Sequence, residues 1–379
     1  MKRKLFTLTI GFALFSMFFG SGNLVFPIAV GQTHPTASLF AALGIILTGV
    51  IVPFLGVYGM SLFHGSTTRF FSCLGQQGPF WFSLLALSLM GPFGVMARCL
   101  TVAHGSIQLL LPEASLVPTS FVLCTIIYAF TLHKSRIVQL LGSYLTPVLL
   151  LALLCLSFIG LTSSPLNNVS QFSWPAFQEG FLKGYQTMDL LAAFFFSKFV
   201  IQHLDYQFPG QEQQSHRQRV FLGASLVGAL LLALVYLFMV LLGGIFSEAL
   251  SQLPPEEMIG KIALMTLGNF GGPILCILVV LACLTTAIVL TSLFAHFVDE
   301  KICNRKLGES KSLLLTLLIG FLVSTLDFAG IAAFIGPILE FSYPALIVLT
   351  LVNIAHKKFG APLSHWPATL TLVARFFYN

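Results

Sequence analysis

Long apolar runs alternate along the 379-residue chain with short polar or Pro/Gly-rich segments. A membrane-spanning helix needs roughly 20 consecutive apolar residues. Ten runs reach or approach that length: 5–31, 37–62, 80–110, 116–132, 137–160, 178–203, 219–246, 271–298, 312–326 and 330–353. Within them the apolar residues are continuous and do not alternate one by one, so they predict helices and speak against a β-barrel. The pattern predicts an all-α polytopic membrane protein with about ten transmembrane helices and no sizeable extramembrane part. The tail, 354–379, holds one apolar patch around Leu370 to Phe377, too short for an eleventh span.

Composition agrees with that pattern. Hydrophobic residues make up 56% of the chain, charged residues only 8%, and the mean hydropathy is +0.92. A soluble domain carries about 25% charged residues, so a water-soluble globular protein, a disordered chain and a nucleic-acid binder of the usual kind are excluded. The seven cysteines contain no C-x-x-C pair and sit mostly in apolar runs, which predicts core packing and no metal site or disulfide framework. Lys2-Arg3-Lys4 before an apolar run, with Ala29-Val30-Gly31 downstream, has the outline of a cleavable leader. Gly20, Gly22, Asn23 and Pro27 interrupt that run and many spans follow, so it is expected to stay as the first span.

Charge placement orients the chain. With the N-terminus inside, the inner segments hold Lys2, Arg3, Lys4, Arg69, Lys134, Arg136, Arg217, Arg219, Lys301, Arg305, Lys306, Lys311, Lys357 and Lys358, and the outer ones only Lys183 and Lys261. This positive-inside bias holds loop after loop and predicts that both termini are cytoplasmic. Ten spans divide into two halves of five, 1–160 and 176–353. An odd number per half turns the second upside down relative to the first, the arithmetic of an inverted-repeat transporter. One transporter domain over 1–353 is expected, with 354–379 as a cytoplasmic or interfacial tail.

The first span is interrupted at Gly20-Ser21-Gly22-Asn23, with Pro27 shortly after. Glycine costs about 1 kcal/mol and proline about 3 in a helix interior, and in lipid a broken backbone must find new partners. A half-helix starting near Leu24 would aim free N–H groups and its positive end at the break, where a carboxylate binds well. A half-helix ending near Phe19 would offer carbonyls that suit Na⁺ or an ammonium group. The matching place in the sixth span reads Gly184-Tyr185-Gln186-Thr187-Met188-Asp189. An intramembrane carboxylate is expensive and usually functional, so Asp189 is a candidate to hold a substrate amine or a cation, or to cap the broken helix. In the eighth span, the hydroxyls of Thr285 and Thr286 with the carbonyls of Ser16, Phe19 and Ala282 would give five oxygens for Na⁺. The alternative is that both hydroxyls bond back to the preceding turn. Arg98, Lys198 and Glu340 are further intramembrane charges, either paired in the bundle or snorkelling. His104 and His296 are read as packing histidines before proton relays, and Phe18, Phe19 and Phe195 as candidates to line an apolar pocket.

Three runs carry a resemblance: Phe18 to Pro27 (FFGSGNLVFP), Gly184 to Asp189 (GYQTMD) and Ala282 to Ser292 (ACLTTAIVLTS). Together with Gly91-Pro92 and Arg98 they look like signatures of the bacterial branched-chain amino acid:cation symporters, over about residues 5–353. The resemblance implies the LeuT fold of the amino acid–polyamine–organocation superfamily, with helices one and six broken. It implies that Gly20, Ser21, Gly22 and Asn23 bind the substrate carboxylate, and that Thr187, Met188 and Asp189 lie at the sixth-helix break. It further implies that Ser16, Phe19, Ala282, Thr285 and Thr286 form a sodium site. Members of that family usually have twelve spans, and Lys198 is unusual in its stretch. The implied function is import of leucine, isoleucine or valine with Na⁺ across the bacterial cytoplasmic membrane, without an organic cofactor. The alternative is another small neutral amino acid, or coupling to protons with Asp189 as the first suspect. An enzyme is not expected, because H-E-x-x-H, G-x-S-x-G and paired-carboxylate motifs are absent. A channel is not expected either, because closely spaced filter repeats are absent.

Overall fold

All ten apolar runs are helical in the structure, a computed structural model that describes residues 2–132, 136–163, 171–208, 214–362 and 366–378. In chain order the helices are α1 (Lys2–Phe18), α2 (Ser21–Thr33), α3 (Ser38–Ile46), α4 (Val52–Leu62), α5 (Thr67–Phe70), α6 (Gly78–Met90), α7 (Val95–Leu110), α8 (Leu116–Leu132) and α9 (Arg136–Ser163). The second half follows with α10 (Trp174–Gln186), α11 (Asp189–Gln207), α12 (Gln214–Ile245), α13 (Ser247–Leu250), α14 (Met258–Phe297), α15 (Glu309–Ser324), α16 (Asp327–Phe359) and α17 (Trp366–Tyr378). No strand occurs among the described residues. By length and apolar character, five helical segments and the bent pair α1–α2 could each cross a membrane. The other expected spans are built from α8, α9, the pair α10–α11, and α15.

The first span breaks where the glycines stand. Helix α1 ends at Phe18, α2 begins at Ser21, and their axes differ by 74°. The sixth span breaks between Gln186 and Asp189, with Met188 in the left-handed region at φ 62°. Two features were not expected from the sequence. The third span is also interrupted, between Met90 and Val95, at Gly91-Pro92-Phe93-Gly94. The eighth begins at Met258 rather than near 271, and it bends at Gly268, whose φ of 67° suits glycine alone. The second span carries a π-helical turn, Leu47–Ile51, where the Thr48 hydroxyl donates to the Phe181 carbonyl across to α10 over 2.7 Å.

Packing repeats between the halves. The first span (α1, α2) lies along the seventh (α12), and the sixth (α10, α11) lies along the second (α3, α4). This is the relation expected when span n of one half corresponds to span n+5 of the other. Glycines set both contacts. A Cβ at Gly31 would strike the Val240 carbonyl, and one at Gly243 the Ile28 carbonyl. In the other pair, a Cβ at Gly180 would strike the Ala41 carbonyl, and one at Gly44 the Phe177 carbonyl. Lipid supplies little drive to join apolar helices, so close backbone approach through small residues holds them. The third and eighth spans form the opposite wall through α7 and α14. Helix α17, in the tail, packs on α16.

Candidate functional site

The two broken spans meet at their breaks. A Cβ at Gly22 would sit 3.4 Å from the Thr187 Cα, in van der Waals contact, so the two broken backbones lie side by side here. Helix α2 begins at Ser21, and the first N–H groups of a helix have no partners within it. Ser21, Gly22 and Asn23 are buried, so these amides face a site screened from lipid and water. The Gly20 N–H, which a continuous helix would send to the Ser16 carbonyl, goes instead to the Asn23 side-chain oxygen at 3.1 Å.

Asn23 then turns its amide nitrogen toward the sixth span. Its Nδ2 donates to Asp189 Oδ2 at 2.8 Å and to the Tyr236 hydroxyl at 2.6 Å, and that hydroxyl donates to the same Oδ2 at 2.9 Å. Asn23, Asp189 and Tyr236 are buried, with Tyr236 on α12. Asp189 is the first residue of α11, where the positive helix end favours an anion. Thr187 points its hydroxyl back to the Gly184 carbonyl at 2.9 Å, and Met188 is buried.

The wall formed by α7 and α14 presents sulfur and hydroxyl groups. The Cys99 thiol donates to the Ser21 hydroxyl at 3.5 Å and lies beside the thiol of Cys283. Both cysteines are buried, as the sequence suggests, but they line the first break instead of distant core. Thr286 reaches the same break: a Cβ on Gly20 would lie 3.8 Å from its methyl group. The hydroxyls of Thr285 and Thr286 both donate to the Ala282 carbonyl, at 2.9 and 3.0 Å. A hydroxyl that donates in this way keeps its lone pairs for a cation. The Ala282 carbonyl is already engaged by both hydroxyls.

Arg98 anchors the end of α10. Its Nη1 donates to the carbonyl of Gln186, the last residue of α10, at 2.7 Å. The guanidinium lies over the adjoining rings of Phe26 and Phe328, 5.0 and 5.5 Å from their centroids, which are themselves 5.2 Å apart. It is thus paired with a helix C-terminus and two π-faces instead of a carboxylate. A cavity of about 210 Å³ adjoins this cluster, lined by Phe26, Ala29, Lys183, Gln186, Phe328 and Ala332 among others. Further from the breaks, His34 Nε2 meets Glu179 Oε2 at 2.7 Å and joins the end of α2 to α10.

The remaining sequence candidates lie elsewhere. Lys198 is exposed, its backbone against Gly65 in the turn after α4. Glu340 is half-buried on α16, and His296 is exposed beside Glu300. His104 is buried on α7. Tyr236 was not among the sequence candidates. Its only local sign is a phenol hydroxyl amid an otherwise apolar stretch, LLLALVYLFMVLL.

The family model described as "Branched-chain amino acid transport protein" matches residues 3–376. The branched-chain amino acid permease BrnQ of Bacillus subtilis (strain 168) is 28% identical over 371 residues, covering 93% of this chain and 82% of the relative. Among solved structures, inward-facing Mhp1 superposes with a TM-score of 0.67 at 14% identity, covering 93% of this chain and 77% of that one. MhsT in complex with L-phenylalanine superposes with a TM-score of 0.58 at 15% identity, covering 96% of this chain and 98% of that one. Both are LeuT-fold transporters, and this chain shares their fold, an inverted repeat of five helices with the first and sixth spans broken. With nearly its whole length matched, the chain belongs to the branched-chain amino acid transport protein family, and it is a multi-pass membrane transporter, not an enzyme.

Proposed function

We propose that the protein is a secondary active symporter that imports leucine, isoleucine and valine with Na⁺ across a bacterial cytoplasmic membrane, with both termini inside. The observation that carries this reading is the meeting of the two helix breaks at Gly22 and Thr187. Helix α2 there turns the amides of Ser21, Gly22 and Asn23 toward a carboxylate. The carbonyl ends of the opposing half-helices suit an ammonium group. An α-amino acid carries both charges a few ångströms apart, as such a site requires. The apolar side chain would lie against the wall of Cys99 and Cys283. BrnQ of Bacillus subtilis, named as a branched-chain amino acid permease, supports the substrate class.

Sodium is assigned to Ser16, Phe19, Thr285 and Thr286, with Ala282 as the fifth oxygen. Supporting this is the approach of Thr286 to Gly20 and the diversion of the Gly20 N–H away from the Ser16 carbonyl. A cation there would pin the end of α1 to α14, and so favour the arrangement in which α2 presents its amides. The driving force is sufficient. A tenfold Na⁺ gradient gives about 1.4 kcal/mol and a 100 mV potential about 2.3, enough for roughly 500-fold accumulation with one ion. Residues 1–353 act as one transporter domain, 1–160 against 176–353, with 354–379 as a cytoplasmic or interfacial tail.

The test is radiolabelled leucine uptake into proteoliposomes with and without an inward Na⁺ gradient, with isoleucine, valine, alanine and lysine as competitors. Concentrative uptake that needs Na⁺ and yields only to branched-chain competitors is expected. Uptake that ignores Na⁺ and follows a proton gradient would remove the sodium assignment. No leucine uptake under either gradient would remove the substrate assignment.

A further inference from the structure

Asp189 is buried, lies between both helix breaks, and serves neither the carboxylate cradle nor the sodium oxygens. Its Oδ2 receives two donors, Asn23 Nδ2 from α2 and the Tyr236 hydroxyl from α12. The groups facing it come from four sides. Asn23 lies on α2, Tyr236 on α12, Thr187 in its own break, and Tyr343, within electrostatic reach, on α16. Arg98 on α7, the buried arginine at this end of the site, gives its Nη1 to the Gln186 carbonyl and lies over two rings. Among the described residues no lysine, arginine or histidine forms an ion pair with Asp189.

Two donors on one oxygen require that oxygen to be an acceptor, and an ionised carboxylate accepts best. A proton on Oδ2 would turn it into a donor: the Tyr236 hydroxyl can reverse to accept it, but the Asn23 amide nitrogen only donates and would be displaced. A proton on Oδ1 would weaken both bonds by removing the charge. Either way the bond joining the first span to the sixth is loosened, because among the described residues Asn23 is the only side chain hydrogen-bonded between Asp189 and α2. Asn23 would at the same time lose part of what orients it toward Gly20.

We propose that Asp189 is a proton-binding site that switches this tie. Ionised, it holds the two breaks together in the binding-competent arrangement; protonated, it releases them. This rests on the reading of the breaks as the amino-acid site and adds a proton-linked step to the sodium-coupled cycle. The proton leaves for water when the tie forms and returns when it opens, so amino-acid affinity depends on pH while Na⁺ remains required.

The experiment is equilibrium binding of radiolabelled leucine to the purified full-length protein at saturating Na⁺, across pH 5.5 to 8.5, for wild type, Asp189→Asn and Tyr236→Phe. Wild type is expected to bind more weakly as pH falls, by a factor on the order of 5- to 150-fold, the usual range of coupling between sites. Asp189→Asn is expected to give a flat profile near the wild-type low-pH level. Tyr236→Phe removes one donor to the carboxylate, so its profile is expected to shift toward higher pH. It carries the test if Asp189→Asn does not fold. A flat wild-type profile, or a pH dependence retained in Asp189→Asn, would overturn the proposal. Folded Asp189→Asn that binds no leucine at any pH would overturn it in favour of a direct substrate contact. Wild type that binds no leucine at any pH would instead overturn the proposed function.

Discussion

The side-chain amide of Asn23 donates to the carboxylate of Asp189 over 2.8 Å, joining two residues 166 positions apart at the breaks of two different spans. The same asparagine accepts the Gly20 N–H with its oxygen. One side chain therefore caps the first broken helix and ties it to the second. Neither break is stable alone in a membrane, because each exposes backbone groups that lipid cannot satisfy. Their juxtaposition makes each part of the other's solution.

Replacing Asn23 by alanine removes three hydrogen bonds, leaves the buried Asp189 carboxylate with one donor fewer while the Tyr236 hydroxyl remains, and strands the part-buried Gly20 N–H. Leaving a buried polar group unsatisfied costs about 1–3 kcal/mol, more for a charged one. Asn23→Ala is expected to lower thermal stability in detergent and to reduce leucine uptake by at least about tenfold, since 1.4 kcal/mol is a factor of ten. Unchanged stability together with unchanged uptake would show that the tie is not part of the functional state.

The glycine contacts allow a test of the fold separate from chemistry. A Cβ at Gly180 would strike the Ala41 carbonyl, and a backbone carbonyl cannot swing aside as a side chain can. Gly180→Ala is expected to push α10 from α3 and to cost about 1–3 kcal/mol, as overpacking does. Gly308→Ala serves as the contrast. Nothing lies within 4 Å of its added Cβ, and the cost comes only from its φ of 83°, about 1–3 kcal/mol for a strained backbone. Thermal unfolding of both variants, with uptake measured in parallel, checks the difference. Loss of uptake is expected for Gly180→Ala and not for Gly308→Ala.

How much of this was legible in the sequence follows from where each signal lies. The break at Gly20-Ser21-Gly22-Asn23 is local: two glycines and a nearby proline each lower helix stability, so it could be read directly. The interruption at Gly91-Pro92-Phe93-Gly94 carries the same kind of signal, yet the apolar run extends across it and the span reads as continuous. The break after Gln186 has little local sign, because Met188, a poor left-handed residue, is held at φ 62° by its surroundings. Tyr236 and the Cys99–Ser21 contact depend wholly on tertiary structure. They join residues far apart in sequence, which periodicity and spacing do not encode.

The sodium assignment makes a specific claim about Thr285 and Thr286. Both hydroxyls now donate to Ala282, so a serine at either position keeps the oxygen, and an alanine removes it. Losing one interaction with a charged partner costs about 1.5–3 kcal/mol, or roughly ten- to a hundredfold in Na⁺ affinity. Thr285→Ala with Thr286→Ala is expected to raise the Na⁺ concentration for half-maximal uptake at least tenfold, and Thr→Ser variants to restore it. Sodium dependence unchanged in the double alanine variant would remove these residues from the site.

Cys99 and Cys283 provide a chemical probe of the same cavity. Their thiols meet beside Ser21, where an arriving apolar side chain would cover them. A small thiol reagent such as methyl methanethiosulfonate is expected to inactivate uptake, and leucine with Na⁺ to protect against it. Cys99→Ser with Cys283→Ser should keep most uptake and lose the sensitivity. Inactivation that leucine does not slow would place the substrate away from this wall.

Arg98 is the remaining charge within the bundle whose role the geometry makes testable. Its guanidinium sits over the adjoining rings of Phe26 and Phe328 while one nitrogen bonds the end of α10. Lysine keeps the charge but has neither the planar surface nor the fixed fork of donors. If the charge alone mattered, Arg98→Lys would be mild. The geometry instead requires stacking on two rings and a bond to a helix terminus at once, so Arg98→Lys is expected to reduce uptake nearly as much as Arg98→Gln. The coupling should also be visible between partners. Stacked cation–π contacts in desolvated sites contribute about 2 kcal/mol, so a double-mutant cycle of Arg98→Gln with Phe328→Leu, followed by thermal unfolding, is expected to show about 1–2 kcal/mol of interaction energy. Phe328 and Phe26 lie on α16 and α2 and pack on each other beneath the arginine, so this coupling measures how firmly α7 holds those helices against α10. Additive effects in the cycle would mean that Arg98 acts through its charge or its bond to Gln186 alone, and that the two rings merely fill space around it.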